Sequence, residues 1–450
     1  MPTAPVPPGP QGHFITGNLV AFSEDPLGFL TRCAREYGDV VRLGKTNYLL
    51  AHPDLIEKVL VNGEGHFVKI AGHEARKRSQ GGFPEAMMNS EGEDWLRKRR
   101  FVQPAFHRKY VAACGQKVIS LTEHLLDSWR PGESRDVYVD MSELSLDIVS
   151  RFLFNTPVND EARHVAAAVD AIMRLTGSPF RFPMWLPTPT NVRLRRSLRK
   201  LDTVLAGIVR RYRERPGEPQ DMLGILLSAE QPLSEEQLRD ELATMIMSGH
   251  ETTADGLVWT FSLLSQHPEV QARLVAELDE VLGGRPPSPE DLPRLRYTEA
   301  VVKESLRLYS PAWITSREAI RDCELGGFHV PAGTTLGVSQ WVTHRDPRYY
   351  EEPEVFRPER WLADSSKHLP KYAWFPFGGG PRLCIGASLA MLELVLITAC
   401  VARRFQLELA PGCEVKSRPA LALQPVGVRI LPHPRPVRSG VVPPPREESA

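Results

Sequence analysis

One cysteine, Cys384, stands in the run Phe377-Gly378-Gly379-Gly380-Pro381-Arg382-Leu383-Cys384-Ile385-Gly386, just ahead of an apolar stretch over 388–401 that reads as a helix. Sulfur near the positive end of a helix is favoured as thiolate over thiol. Three successive glycines let the backbone pass close to something flat and bulky, and Arg382 supplies a fixed positive charge for an anionic group. A lone cysteine beside an apolar helix is ordinarily a small buried hydrophobe. The glycines and arginine around this one ask for more. Haem meets both demands, because its iron takes a thiolate and its propionates take guanidinium forks.

The second stretch with chemistry in it is Gly249-His250-Glu251-Thr252-Thr253. It interrupts a helical pattern that starts at the capping-box sequence Ser234-Glu235-Glu236-Gln237 and stops at His267-Pro268, roughly 50 Å of helix at 1.5 Å per residue. Leu238, Leu242, Met245, Ile246, Gly249, Thr252 and Thr253 mark one face. Glycine and threonine weaken a helix, and a threonine hydroxyl bonded one turn back can bend its axis and open a polar notch. A carboxylate beside an alcohol in such a notch is what proton delivery requires. On residues alone, ordinary packing and a solvated charge are the commoner explanation of such a stretch.

Two weaker signals flank these. Trp95 and Arg99 are four apart on a helix that starts with Glu93-Asp94, so an indole N–H and a guanidinium share a face. The charges Arg97, Lys98, Arg100, Arg108 and Lys109 there form either a basic docking patch or an ordinary exposed helix. Glu304 and Arg307 form an i,i+3 pair on a helix over 297–309, which is common on exposed helices.

The elements that must position these groups are mostly helical. Apolar periodicity predicts helices over 26–37, 53–61, 111–129, 141–154, 161–175, 192–213 and 269–282. Short β-like runs lie at 40–43 and 48–51, a strand at 312–317, and a tight β turn at 326–333. Residues 62–92 read as a long loop, 177–187 as a Pro-broken apolar loop that suits a substrate-entry lid, a contact with a membrane surface or plain packing equally, and 344–347 as a turn.

With Lys+Arg and Asp+Glu equal at 55 each, no global field draws the chain of 450 residues to nucleic acid or an anionic membrane. The six cysteines show no C-x-x-C pair, as expected of a reduced, cytoplasmic protein. No run approaches the ~20 apolar residues of a membrane span, so no transmembrane anchor is expected.

The pattern F-x-x-G-x-R-x-C-x-G at 377–386 resembles the haem-ligand signature of the cytochrome P450 superfamily, the haem-thiolate monooxygenases. Residues 249–252 resemble that family's oxygen-activating helix, [AG]-G-x-[DE]-T, with Ser248 where Ala or Gly is usual. Glu304-x-x-Arg307 coincides with its E-x-x-R, whose third partner is Arg360, next to Trp361 where Phe is common. The resemblance implies a mostly α fold with a smaller β-rich region, a triangular prism with haem b between distal and proximal helices. The monooxygenase domain would cover 13–431, with a Pro-rich segment at 1–12 and a disordered tail at 432–450.

By the same resemblance Cys384 is the axial ligand. Trp95, Arg99, Arg317 and Arg382 hold propionates, with Gly249, Phe377 and Gly386 also against the cofactor. Ala312, Trp313 and Ile314 line the substrate pocket. Glu251 and Thr252 conduct the protons that split the O–O bond. The implied reaction inserts one atom of O2 into a C–H bond of a lipophilic small molecule such as a terpenoid, fatty acid or polyketide, by hydroxylation or epoxidation. Electrons come from a separate ferredoxin or flavodoxin with its reductase. A peroxide-driven peroxygenase would share the cysteine loop but needs less proton delivery, against which Glu251-Thr252 stands. A non-catalytic haem-binding sensor is the third reading.

Overall fold

The longest helix, Glu235–Gln266, sets the layout. The capping box at its start is complete: Gln237 donates its backbone N–H to Ser234 Oγ, and Ser234 donates its own to Gln237 Oε1, each at 3.2 Å. At the far end Pro268 opens the next helix, Pro268–Leu282, where a missing N–H costs nothing. Between those signals the helix is buried on nearly every side, with Leu242, Leu257, Phe261 and Leu264 fully inaccessible. Each such side chain contributes roughly 1.5–3 kcal/mol. The helix packs on Val137–Phe154, Arg296–Leu308 and Ala387–Arg404.

The computed structural model describes residues 4–61, 65–69, 83–155, 186–214, 221–228, 233–362 and 368–435. The helix read at 161–175 and most of the apolar loop at 177–187 lie outside the described residues, as do much of 62–92 and residues 436–450. Elsewhere the periodicity holds, with helices at Pro26–Tyr37, Pro53–Val61, Gly92–Val102, Arg108–Leu126 and Pro189–Glu214. The fold is mostly α with smaller sheets, as the sequence implied.

The β-rich region is a five-stranded sheet in the order Val40–Arg42, Asn47–Leu50, Thr335–Val338, Thr315–Ala319, Phe67–Val68. The pairing is antiparallel except between Asn47–Leu50 and Thr335–Val338. Its strand from the middle of the chain starts at Thr315, so 312–314 are not strand. Gly326 and Gly327, both at positive φ, turn the hairpin of Cys323–Leu325 and Phe328–Val330.

A third sheet joins Arg135–Asp136, Arg429–Pro434 and Phe405–Leu409. Its last strand corrects the boundary set at Leu431: Pro432, His433 and Pro434 still pair with Leu407, Gln406 and Phe405. Prolines obscured it, though an edge-like register tolerates them.

Candidate active site

The loop from Phe375 to Gly386 is folded by its own backbone. Gly378 N–H donates to Phe375 O (2.9 Å), Leu383 N–H to Gly380 O (3.1 Å) and Cys384 N–H to Phe377 O (3.0 Å). The glycines answer to the protein itself. Gly378 and Gly380 have positive φ, a Cβ on Gly379 would lie 2.2 Å from the Tyr372 ring, and one on Gly380 2.1 Å from Leu60 O. Gly380 N–H donates to Tyr372 Oη at 3.1 Å. Gly386 is the N-cap residue of the helix Ala387–Arg404, and Phe377 packs against the main core.

Cys384 is accessible at its surface, yet enough protein surrounds it that burial pushes its thiol up; the Gly386 N–H and the Arg99 charge oppose this only in part. The helix end thus favours the thiolate against an opposing effect of burial. A bound metal cation would tip that balance, since it deprotonates a coordinating thiol outright.

Around the cysteine the structure gathers cations. Arg382 donates to Ser90 O (2.7 Å), pairs with Glu91 (2.5 Å) and lies 4.6 Å over the Trp95 ring, which ties the cysteine loop to the helix Gly92–Val102. Arg317 is buried, and burial followed by the Arg382 charge lowers it to about 10. Arg99 is lowered by burial, with Arg382 adding to the effect and Cys384 opposing it.

Sequence reading missed a fourth cation. Lys69 is lowered to about 8 by burial, then by Arg382 and Arg317, and its backbone N–H donates to Glu91 Oε1 at 2.7 Å. It lay in the aperiodic stretch 62–92, where no pattern singles out a lysine. Lys69, Arg317 and Arg382 thus share one carboxylate, Glu91, while Arg99 lies near Arg382 and Cys384, and Arg99 and Arg317 form no ion pair among the described residues. An accessible cysteine beside four clustered cations, Arg317 buried and the others partly accessible, fits haem b: one soft anionic ligand for iron and positive charge for two carboxylates.

Three readings need correction. At Gly249 the need for glycine comes from packing: a Cβ there would meet Val149 Cγ2 at 2.8 Å, so the glycine lets the helix Val137–Phe154 approach while its own backbone stays partly accessible. Trp313 is buried in the core with Trp259 and Leu27, its indole donating to Ala420 O at 2.9 Å, while Ala312 and Ile314 keep accessible surface. Lys98, read as part of a basic face, is buried with its ammonium on Ser90 Oγ (2.8 Å) and Asp94 Oδ2 (2.7 Å). Arg97, Arg100, Arg108 and Lys109 are exposed.

Glu251 and Thr252 do not share one notch, because adjacent helical residues face different ways. Thr252 is accessible, as is Ser248 one turn earlier, in the middle of a helix whose accessible residues otherwise lie mainly at its ends. Their hydroxyls form a ladder: Thr252 Oγ donates to Ser248 O (2.6 Å), Ser248 Oγ to Thr244 O (2.6 Å) and Thr244 Oγ to Asp240 O (2.9 Å). Glu251 is buried instead against the hairpin Lys416–Pro419 and Leu423–Val426, where it accepts from Gln424. His250 turns aside to Ser142 Oγ (2.7 Å), and burial lowers it to about 4, so it is neutral.

Glu304, Arg307 and Arg360 come together as expected. Glu304, fully buried, accepts from Arg307 Nε and Nη2 (2.9 and 2.8 Å) and from Arg360 Nε (3.0 Å). Trp361 is more than a mild difference. Its indole donates to Glu304 Oε2 at 2.9 Å, a bond no Phe could make.

The family model "Cytochrome P450" matches residues 7–432. Cyclooctat-9-en-7-ol 5-monooxygenase of Streptomyces melanosporofaciens is 39% identical over 88% of each chain. Pentalenene oxygenase of Streptomyces avermitilis is 32% identical over 94% of each. The retinoic acid bound cyanobacterial CYP120A1 superposes with a TM-score of 0.85 at 26% identity, covering 96% of this chain and 100% of its own.

Proposed function

We propose, from the premise that this chain belongs to the cytochrome P450 family and is a monooxygenase of it, that it hydroxylates a cyclic terpenoid. The observation that carries the chemistry is the accessible Cys384 beside four cations that have one carboxylate, Glu91, among them, with an accessible hydroxyl strip in the middle of a largely buried helix. The substrate class is supported by the two Streptomyces relatives, whose names carry terpenoid substrates. An overall balance of charge and an apolar interior suit such a ligand.

When bound, haem supplies the activation of O2 and the oxidation of the C–H bond. Cys384 would ligate its iron, and Arg99, Arg317, Arg382 and Lys69 would hold its propionates with Trp95. Thr252 would present its hydroxyl oxygen as an acceptor at the accessible face, where it could hold water, and Glu251 would supply protons from the buried side. Ala312 and Ile314 would meet substrate. Glu304, Arg307, Arg360 and Trp361 fix the segment that leads to the cysteine loop; such a buried network specifies one arrangement more than it adds net stability.

Electrons would arrive from a separate ferredoxin or flavodoxin with its reductase, for which exposed Arg100, Arg108 and Lys109 offer a cationic landing. No disulfide joins the six cysteines, which suits a cytoplasmic enzyme. Among the described residues no helix is long and apolar enough to cross a membrane.

The test is a spectral titration of the ferric holoenzyme with cyclic terpene alcohols and with fatty acids of matched size. Loss of iron-bound water with the terpenoids alone, followed by an NADPH-dependent hydroxylated product, supports the assignment. A response confined to fatty acids refutes the substrate class. Thr252→Ala should keep binding and divert electrons to peroxide.

A further inference from the structure

One turn beyond Glu251 on the same helix lies Asp255, wholly inaccessible, and neither of its carboxyl oxygens has a hydrogen-bond partner among the described residues. An unpartnered carboxylate in such surroundings is expensive and resolves the cost by taking a proton. Its charged neighbours are Glu251, which also favours the neutral acid, and Arg418, which opposes it.

Glu251 has the opposite arrangement. Arg418, exposed on the strand Lys416–Pro419, donates from Nε (2.8 Å) and also from Nη2 to Gln424 Oε1. Because a guanidinium has only donors, it fixes the amide with its oxygen outward and its NH2 inward, toward Glu251. An N–H donor aimed at the carboxyl group favours its ionised form, the stronger acceptor. The line from solvent therefore runs Arg418, Gln424, Glu251, with Asp255 one helical turn behind.

We propose that Asp255 is the proton reservoir of this enzyme and that Gln424 and Arg418 are positioning residues that keep Glu251 ionised and ready to receive from it. The step is a proton transfer alone. The Asp255 O–H bond breaks and a Glu251 O–H bond forms; Asp255 regains its proton by the reverse transfer, after Glu251 has been reprotonated from the solvent side of the hairpin. This rests on the assignment of proton delivery to Glu251 and Thr252.

The test is infrared difference spectroscopy across photolysis of carbon monoxide from the reduced holoenzyme, in H2O and D2O, together with the coupling of product to NADPH. A protonated-carboxyl band that shifts in D2O is expected in the parent and in Thr252→Ala, absent in Asp255→Asn and displaced in Gln424→Leu. Coupling should fall several-fold in Asp255→Asn and Gln424→Leu. Persistence of the band in Asp255→Asn, or no band in the parent, overturns the reservoir. An unmoved band and unchanged coupling in Gln424→Leu remove the hairpin from it. If Asp255→Asn fails to fold, Glu251→Gln decides: the band stays, shifted, if the proton is on Asp255 and vanishes if it was on Glu251. Unchanged coupling in Thr252→Ala defeats the relay itself and leaves the band assignment standing, so the two failures are distinct.

Discussion

Replacing Gly249 by alanine tests whether that glycine serves packing. Two terms of opposite sign meet at the site. Alanine in a helix interior gains about 1 kcal/mol over glycine. The new Cβ, however, would sit 2.8 Å from Cγ2 of Val149, a contact real side chains do not make. Val149 is buried and β-branched, so it has no easy rotamer to retreat to. Overpacking of this kind costs about 1–3 kcal/mol. The net expectation is a loss of about 1 kcal/mol. Val149→Ala alone should cost about 2 kcal/mol for the buried methyls. In that background the clash is gone, and Gly249→Ala should become stabilising by about 1 kcal/mol.

The four proteins of this cycle would be compared by urea unfolding at matched haem content, because a ligand of the native state shifts apparent stability. A coupling of about 2 kcal/mol between the two sites is expected. If Gly249→Ala stabilises the parent, or acts equally in both backgrounds, the packing argument is wrong. Loss of haem affinity without loss of stability would return the glycine to the cofactor.

Trp361→Phe should lower stability by about 2 kcal/mol, the worth of a hydrogen bond to a charged group, and a double-mutant cycle with Glu304→Gln should recover most of it. Lys69→Met should weaken haem about tenfold, or 1.4 kcal/mol, measured by haem transfer to an apoglobin; unchanged transfer would remove Lys69 from the propionate set. Burial raises buried Glu241 to about 7, against an N–H bond from Met87 at 2.5 Å. The native state thus holds that proton more tightly than the unfolded chain. Its stabilisation is present below the unfolded value of 4.5 and is lost as pH rises through about 7. Glu241→Gln, which keeps an acceptor for Met87, should flatten that decline; an unchanged pH profile of unfolding would refute it.

What sequence reading caught was local or periodic. The capping box at Ser234, the stop at Pro268 and the long helix between them are written in neighbouring residues, and so is the cysteine loop. What it missed depends on partners distant in the chain. Glu251 meets Gln424, 173 residues away, and Lys69 joins Arg317 and Arg382. Neither Gln424 nor Lys69 carries a local signature, because a strand glutamine and a loop lysine are ordinarily solvated. Gly249 and Trp313 misled for the converse reason. Each stands beside residues of the site in sequence while facing a neighbouring element in space. Lys98 was misread because a charge run suggests a solvated face, and only the fold shows Asp94 and Ser90 closing over it.

The hydroxyl ladder on the distal helix has a consequence for what can rest against it. Thr244, Ser248 and Thr252 each direct their only hydrogen to a carbonyl one turn back. The accessible surface at Ser248 and Thr252, though built of alcohols, therefore offers lone pairs outward and no proton. Such a strip welcomes water or a guest that brings its own O–H and turns anions away, so a substrate already bearing one hydroxyl would be oriented by this wall before any bond in it is broken.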